Sequence, residues 1–259
     1  MNCTLPLALT FLTKIPWPRL GLAEPEDLAR SLFWFPWVGA LLGLIFWGTW
    51  VGLVKIFPAP AAAAVLLALT VWVTGALHLD GLADTADGLG GGGTAQERLG
   101  IMKDSRLGTF GVVSLILALV LKYAFFLGLA GKGAGSILLL YPIVSRWGMV
   151  FLAYLSPYAR PEGGLGQAMT GGASLRVLAG ATLSALGLSL LAAGPGGLTL
   201  LAGAALAVWL LSRYFLNKLG GVTGDVLGAA NELLEIITLG GFLLLYPPGA
   251  TIFNLKIFW

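Results

Sequence analysis

Acidic residues at regular spacing are the most informative feature of this sequence. Asp80, Asp84 and Asp87 follow one another at intervals of four and three residues in the segment HLDGLADTADG. On an α-helix they lie within roughly 60° of one another, at about 100° of rotation per residue. Three neighbouring carboxylates repel one another unless a cation neutralises them. Because Mg²⁺ binds one or two carboxylates together with substrate phosphates, the spacing predicts a magnesium site. The simpler interpretation is a solvated acidic helix face.

The next residues carry groups suited to phosphate. Gly88 and the glycines at 90–93 predict a pliable loop at the end of the acidic helix, where backbone N–H groups can approach a phosphate. The segment MKDSRLG follows, in which Lys103 and Arg106 can neutralise phosphate oxygens. Asp104 can complete the metal site or orient a nucleophile. The alternative is a charged loop beside a membrane.

A second polar cluster lies in GGVTGDVLGAANELLE, residues 220–235. Asp225, Glu232 and Glu235 share one helical stripe, and the glycines before them permit a tight turn. We expect the two acidic clusters to form one pocket, with Asp84 and Asp225 facing a common cavity. The alternative is a polar helix face that holds neighbouring helices together.

Three further polar residues interrupt apolar segments. His78 is the only histidine, and a lone histidine is more often structural than a base. Arg146, inside an apolar run, needs a carboxylate or phosphate partner, and we place it facing the pocket. Lys122 is expected to extend its side chain towards the membrane surface instead.

The composition predicts that lipid surrounds these residues. Of 259 residues, 58% are hydrophobic and only 10% are charged, whereas soluble domains carry roughly 25% charged residues. Scattered basic residues and a net charge of +3 give no support to nucleic-acid binding. Cys3, the only cysteine, excludes an intramolecular disulfide and a cysteine-based zinc site.

Apolar runs predict an all-α, polytopic transmembrane bundle forming one domain over residues 1–259. About 20 apolar residues cross a bilayer, and about seven runs approach this length. We expect an interfacial or re-entrant helix at 5–15, a tight helical hairpin at 193–198, and an irregular, interfacial tail. The predicted spans are 33–57, 59–79, 110–129, 136–155, 177–193, 198–215 and 226–245.

Basic residues predict the orientation of the bundle. With the N-terminus in the cytoplasm, ten Lys and Arg residues fall on the inner side and only Lys55, Lys132 and Lys256 on the outer side. Positive charge concentrates in cytoplasmic loops. Both acidic clusters then lie on the cytoplasmic side of the inner (plasma) membrane.

The chain resembles the cobalamin synthase family of vitamin B12 biosynthesis. The resemblance runs almost end to end, through FLTKIPWP at 11–18, FPWVGALLG at 35–43, HLDGLADTADG at 78–88, MKDSRLGTFG at 102–111 and GGVTGD…GAANE at 220–232. It implies an integral membrane, Mg²⁺-dependent transferase that joins adenosylcobinamide-GDP to α-ribazole or its 5′-phosphate and releases GMP. The acidic motif is also partly similar to that of the CDP-alcohol phosphotransferases.

On this resemblance we assign roles residue by residue. A ribose hydroxyl attacks the corrinoid-side phosphorus, and Asp87 or Asp104 takes its proton. Asp80, Asp84, Asp87 and Asp104 are the predicted metal ligands. The predicted substrate-binding residues are His78, Lys103, Ser105, Arg106, Arg146, Thr223, Asp225, Asn231 and Glu232. The substrates and membrane lipid are the expected partners, and an oligomer is compatible with the sequence.

Two alternatives belong beside this hypothesis. One is a CDP-alcohol phosphotransferase that acts on lipids. The other is an ion-coupled transporter, which should carry its polar groups and broken helices near the bilayer centre. Acids at helix ends on one side of the membrane favour an enzyme.

Overall fold

The computed structural model describes residues 4–17, 24–130 and 135–246, and within these ranges the chain is helical. A 3₁₀ turn, Leu32–Trp34, joins the second and third helices. The predicted irregular tail lies outside the described residues. The helices are α1 Thr4–Leu12, α2 Pro25–Ser31, α3 Phe35–Ile56, α4 Ala59–Thr74, α5 Leu77–Gly91, α6 Ala95–Ile101, α7 Thr109–Gly128, α8 Gly135–Leu155, α9 Leu165–Gly172, α10 Leu175–Leu219 and α11 Gly224–Leu245.

Helix α8 forms the centre of the bundle and packs against α3, α10 and α11. Most of its residues are buried, including Tyr141 and Arg146. Glycines allow α3 to approach it closely, because a Cβ on Gly39 would lie 2.3 Å from the Pro142 carbonyl oxygen. Helix α7 instead exposes Val113, Ile116 and other apolar side chains on its outer face, as expected for a surface in contact with lipid.

The predicted second span is broken. Helix α4 ends at Gly75, whose φ of 63° is left-handed, and Ala76 is also left-handed at 58°. The chain then bends by 87° into α5. The Lys14 amide donates to the Val73 carbonyl oxygen at 2.7 Å, so the N-terminal segment satisfies one of the free carbonyls at this break. The acidic motif therefore lies on a helix, as predicted, but this helix leaves α4 at a sharp bend.

Helix α10 contains the predicted hairpin. Ala193 and Gly194 have non-helical backbone angles. A Cβ on Gly197 would lie 2.3 Å from the Ser189 carbonyl oxygen, whereas eight residues of straight helix span about 12 Å. The chain reverses direction here, which confirms the hairpin.

The described residues include five helices long and apolar enough to cross a membrane, or six if the bent α4–α5 pair is one span. That count takes α10 as a single helix, so the predicted number of seven stays a prediction. The helices identify a multi-pass membrane protein. The predicted N-terminal helix is present as α1, while its interfacial position stays a prediction.

Three connecting segments, the first of which contains α6, meet at one end of the bundle, which we call the polar face: residues 92–108, 157–164 and 218–224. Lys103 forms an ion pair with Glu162, and Arg98 donates to the Lys218 carbonyl oxygen at 2.9 Å. These contacts place the three segments on the same side of the membrane.

A labelling experiment tests the orientation. In a Cys3→Ser background, single cysteines at positions 93 and 163 should react with a membrane-impermeant maleimide only after the cells are opened, since both lie on the polar face. A cysteine at 132 should react in intact cells. Labelling of position 93 from outside contradicts the predicted orientation.

Candidate functional site

Helix α5 presents its three aspartates in different environments. It packs against α7 and α11. Asp80 is exposed, Asp84 is half-buried and Asp87 is buried. Among the described residues, neither Asp80 nor Asp84 makes a hydrogen bond or ion pair, so their oxygens are free to bind a ligand.

Asp87 is engaged by the backbone of α7. Its two carboxylate oxygens accept hydrogen bonds from the Gly108 and Gly111 amides, both at 2.8 Å. These amides belong to the N-terminus of α7, where the first N–H groups have no partner within the helix. A Cβ on either glycine would lie within 2.5 Å of an Asp87 oxygen, so a larger residue would displace the carboxylate from these amides. Asp87 therefore caps a helix.

The glycine run does not form the predicted pliable loop. Helix α5 continues through Gly91. A Cβ on Gly88 would lie 2.8 Å from the Arg98 carbonyl oxygen, and one on Gly90 would lie 2.4 Å from the Phe110 ring. The expectation of a loop beginning at Gly88 was wrong, because the glycines up to Gly91 are helical and allow α6 and α7 to pack closely on the end of α5. Only Gly92 and Gly93 lie beyond the helix, and phosphate binding stays a prediction.

The charged residues of MKDSRLG pair with protein groups. Asp104 accepts hydrogen bonds from the side chain and backbone of Arg106, which hold the pKa of Asp104 at about 2. Arg106 is 88% exposed, Ser105 is also exposed, and Lys103 is paired with Glu162. A carboxylate with so low a pKa is a weak proton acceptor, which argues against Asp104 as general base.

Asp225 lies directly beside α5. A Cβ on Gly81 would be 2.6 Å from the Asp225 carbonyl oxygen, so the two helices touch at this point. Thr223 is the N-cap of α11 and also donates to an Asp225 oxygen at 3.3 Å. Arg160 donates to the same oxygen at 2.7 Å. We call Asp80, Asp84, Asp225 and Arg160 the outer site.

The charges of the outer site act on one another. Asp84 is under the influence of Asp80, Asp225 and Asp87, and of the opposing charge of Arg160. Three of its four charged neighbours are therefore carboxylates, an arrangement that favours a cationic ligand.

A second group of charges lies deeper in the bundle, and we call it the inner network: Lys122, Arg146, Glu232 and Glu235. Lys122 donates to Glu232 at 2.6 Å and to Glu235 at 2.5 Å. Arg146 pairs with the other Glu235 oxygen. Each side chain is at most 5% exposed. The four groups occupy the middle turns of α7, α8 and α11, so they lie in the interior of the membrane-spanning bundle.

The inner network reaches α5 through two polar residues. Asn231 donates one amide hydrogen to Glu235 at 3.1 Å and the other to His78 Nδ1 at 3.0 Å. This assigns the ring hydrogen of a neutral His78 to Nε2, an atom that is buried without a partner among the described residues. His78 therefore anchors the first turn of the acidic helix to α11.

The structure thus divides the residues predicted to form one pocket. Asp225 joins the first acidic cluster in the outer site, but Glu232 and Arg146 belong to the inner network. The small cavity in this region is lined by inner-network residues and by Phe46, Thr70 and Leu79, and neither Asp84 nor Asp225 lines it. The expectation that Lys122 extends to the membrane surface was wrong, because two glutamates hold it inside.

The donor set partly fits magnesium. Within the described ranges, no three His, Cys, Asp or Glu side chains lie close enough together to hold a metal. Asp87 and Asp104 are engaged elsewhere, whereas Asp80 and Asp84 are one helical turn apart with free oxygens. Two carboxylates completed by substrate phosphates match the usual magnesium site. Metal binding stays a prediction, and this geometry reduces the predicted ligands to Asp80 and Asp84.

Sequence patterns predicted no role for Arg160 or Glu162 and did not predict the pairing of Lys122. Two features could have predicted the pairing of Lys122: a lysine inside an apolar run, and two glutamates on one helix face. No pattern marked Arg160, which lies some 65 residues before Asp225 and meets it only through the fold.

Comparisons with known proteins agree with the resemblance. Residues 4–243 match the family model described as cobalamin-5-phosphate synthase. The adenosylcobinamide-GDP ribazoletransferase of Pseudomonas putida (strain W619) is 44% identical over 240 residues, covering 92% of this chain and 97% of that protein. The protein of the same name from Syntrophobacter fumaroxidans is 43% identical, with the same coverage of both chains. No solved structure matches.

Proposed function

Because the chain belongs to the cobalamin-5-phosphate synthase family, we propose that it is a Mg²⁺-dependent enzyme joining adenosylcobinamide-GDP to α-ribazole or α-ribazole 5′-phosphate. A ribose hydroxyl oxygen forms a bond to the corrinoid-side phosphorus of the diphosphate. The bond between that phosphorus and the bridging oxygen breaks, GMP leaves with the bridging oxygen, the hydroxyl proton passes to an outer-site carboxylate, and the product is adenosylcobalamin or its phosphate. The curated relatives carry the name of this activity.

The observation that carries the proposal is the outer site. Asp80 and Asp84 present free oxygens beside Asp225 and Arg160, at the polar face where a soluble nucleotide can enter. A magnesium ion held by Asp80 and Asp84 would neutralise charge on the diphosphate. Asp225, which also accepts a hydrogen bond from Thr223, orients the neighbouring guanidinium.

The inner network has a different role in this proposal. Arg146 and Glu232 pair with other protein side chains, so they support the site rather than bind substrate. His78 and Asn231 connect the inner network to α5 through hydrogen bonds. Neither Asp87 nor Asp104 is suited as general base in this arrangement, and Asp80 and Asp84 are the carboxylates whose oxygens remain free.

The cell location is part of the same proposal. We propose that the protein lies in the inner (plasma) membrane with the outer site facing the cytoplasm, which the bias of basic residues supports. The amphipathic corrinoid would enter where the bundle meets the headgroups.

The test is a product assay with purified protein in nanodiscs. With adenosylcobinamide-GDP, α-ribazole and MgCl₂, we expect GMP and adenosylcobalamin in equal amounts by chromatography. EDTA should stop the reaction and excess MgCl₂ should restore it. The α-ribazole 5′-phosphate is assayed in parallel to determine which form is used.

Two controls separate the alternatives. Omission of ribazole should abolish GMP release, since hydrolysis would yield GMP without cobalamin. CDP-diacylglycerol with an alcohol acceptor should yield no CMP. Release of CMP, or turnover unaffected by EDTA, contradicts the proposal.

A further inference from the structure

The sequence predicted Lys103 and Arg106 as the cations that bind phosphate, but the fold does not bring them to the free carboxylates. Lys103 is paired with Glu162, and Arg106 is directed into solvent beside Asp104. Arg160 is the cation whose charge acts on Asp84 and which contacts Asp225 directly. A polyanionic diphosphate needs positive charge close to the metal-binding carboxylates, and Arg160 is in that place.

Backbone hydrogen bonds join the segment around Arg160 to the turn before α11. The Ala159 amide donates to the Val222 carbonyl oxygen, and the Val222 amide donates to the Pro157 carbonyl oxygen, both at 2.9 Å. A Cβ on Gly221 would lie 2.3 Å from the Pro157 carbonyl oxygen. The glycine turn of GGVTGD therefore allows the segment 157–160 to dock. The guanidinium is held in position before any ligand arrives.

The guanidinium keeps unused hydrogen-bond donors. Its side chain is only 15% exposed and one terminal nitrogen donates to Asp225. Its Nε is buried and has no partner within the described ranges. A buried donor without a partner costs about 1–3 kcal/mol, and a fork of N–H groups matches phosphate oxygens. Such a donor is stabilised when an anion binds.

From these observations we propose that Arg160 binds the diphosphate of the nucleotide-activated substrate. This inference rests on the proposed function for the identity of that substrate. The anion site itself follows from Arg160 and the free carboxylates. Asp225 holds the guanidinium in the absence of substrate and shares it when the diphosphate binds. Lys103 and Arg106 are not part of the anion site.

Binding of inorganic pyrophosphate tests the inference without relying on turnover. Isothermal titration of the nanodisc-embedded protein is done at fixed MgCl₂ concentration. Arg160→Gln should weaken pyrophosphate binding at least tenfold, and Arg160→Lys should weaken it less, because lysine keeps the charge but loses the fork. Lys103→Gln, Arg106→Gln and the exposed control Arg176→Gln should stay within about twofold of the wild type.

Asp225→Asn distinguishes ligand binding from a structural role. If Arg160 binds the anion, loss of the competing carboxylate should leave pyrophosphate affinity unchanged or increase it. Wild-type affinity in Arg160→Gln and Arg160→Lys overturns the inference, as does a wild-type protein that binds no pyrophosphate. If the binding results are as expected but the wild-type protein releases no GMP, the proposed function is wrong and the anion site at Arg160 stands.

Discussion

Replacing Lys122 with methionine should reduce the free energy of unfolding by about 3–5 kcal/mol, the cost typical of removing one partner from a buried ion pair. Lys122 contacts Glu232 and Glu235 in the interior of the bundle, where each carboxylate is 5% exposed. Without the ammonium group, the two glutamates face a single cation, Arg146. Unfolding is measured in mixed micelles with increasing sodium dodecyl sulfate.

Removing a carboxylate together with the lysine should recover much of this loss. The double variant Lys122→Met, Glu232→Gln leaves the Arg146–Glu235 pair, which is neutral overall. We therefore expect a coupling energy of about 1–3 kcal/mol in the double-mutant cycle, as found for residues in one ionic network. This result would identify charge balance, rather than the size of the side chains, as the source of the effect.

Lys55 provides a matched control for Lys122. It lies near the end of α3 and is exposed. Lys55→Met should change the free energy of unfolding by no more than about 0.5 kcal/mol. A similar small change in Lys122→Met, or a double variant less stable than the single one, contradicts the network as the structure shows it.

Asp84→Asn should lower the rate of GMP release about 100-fold or more without reducing stability. Asp84 is under the influence of three other carboxylates, so the repulsion among them is relieved when one charge is removed. The lost charge also weakens the predicted magnesium site, and loss of one preorganised stabilising group typically costs 10²–10³ in rate. A higher MgCl₂ requirement should accompany the loss.

Asp87→Asn should reduce stability, unlike Asp84→Asn, although Asp84 and Asp87 share one face of α5. Asp87 accepts one N–H on each of its two oxygens. Asparagine has only one acceptor oxygen. Its NH₂ group would therefore face the N–H of either Gly108 or Gly111, and neither of these two donors would have an acceptor. We expect a loss of about 1–3 kcal/mol in the free energy of unfolding, the cost of a buried donor left unpaired.

Stability and GMP release measured on the same preparations distinguish the two aspartates. Glu26 lies in the first turn of α2 with its side chain 78% exposed, and it gives a control as Glu26→Gln, which should match the wild type in both measurements. Equal activity in Asp84→Asn and the wild type contradicts the outer site. Full stability in Asp87→Asn contradicts the assignment of Asp87 as a cap.

The sequence by itself determined the class of the protein and most of its elements. Apolar runs of about 20 residues predicted membrane-spanning helices, and their ends matched the observed helices within a few residues for α3, α7, α8 and α11. The short Gly/Pro-rich link at 193–198 predicted the hairpin, because Pro195 has no N–H to continue the preceding helix and Gly194 can adopt the left-handed backbone angle of the turn. The polar motifs were specific enough to indicate the family.

Only the tertiary structure decided what each charged residue contacts. Spacing along one helix showed that Asp80, Asp84 and Asp87 share a face, but not that the amides of α7 occupy Asp87. Arg160 meets Asp225, and Lys122 meets Glu232, across 65 and 110 residues of chain. Such pairs depend on which helices pack together and at what depth, and local periodicity contains no information on either.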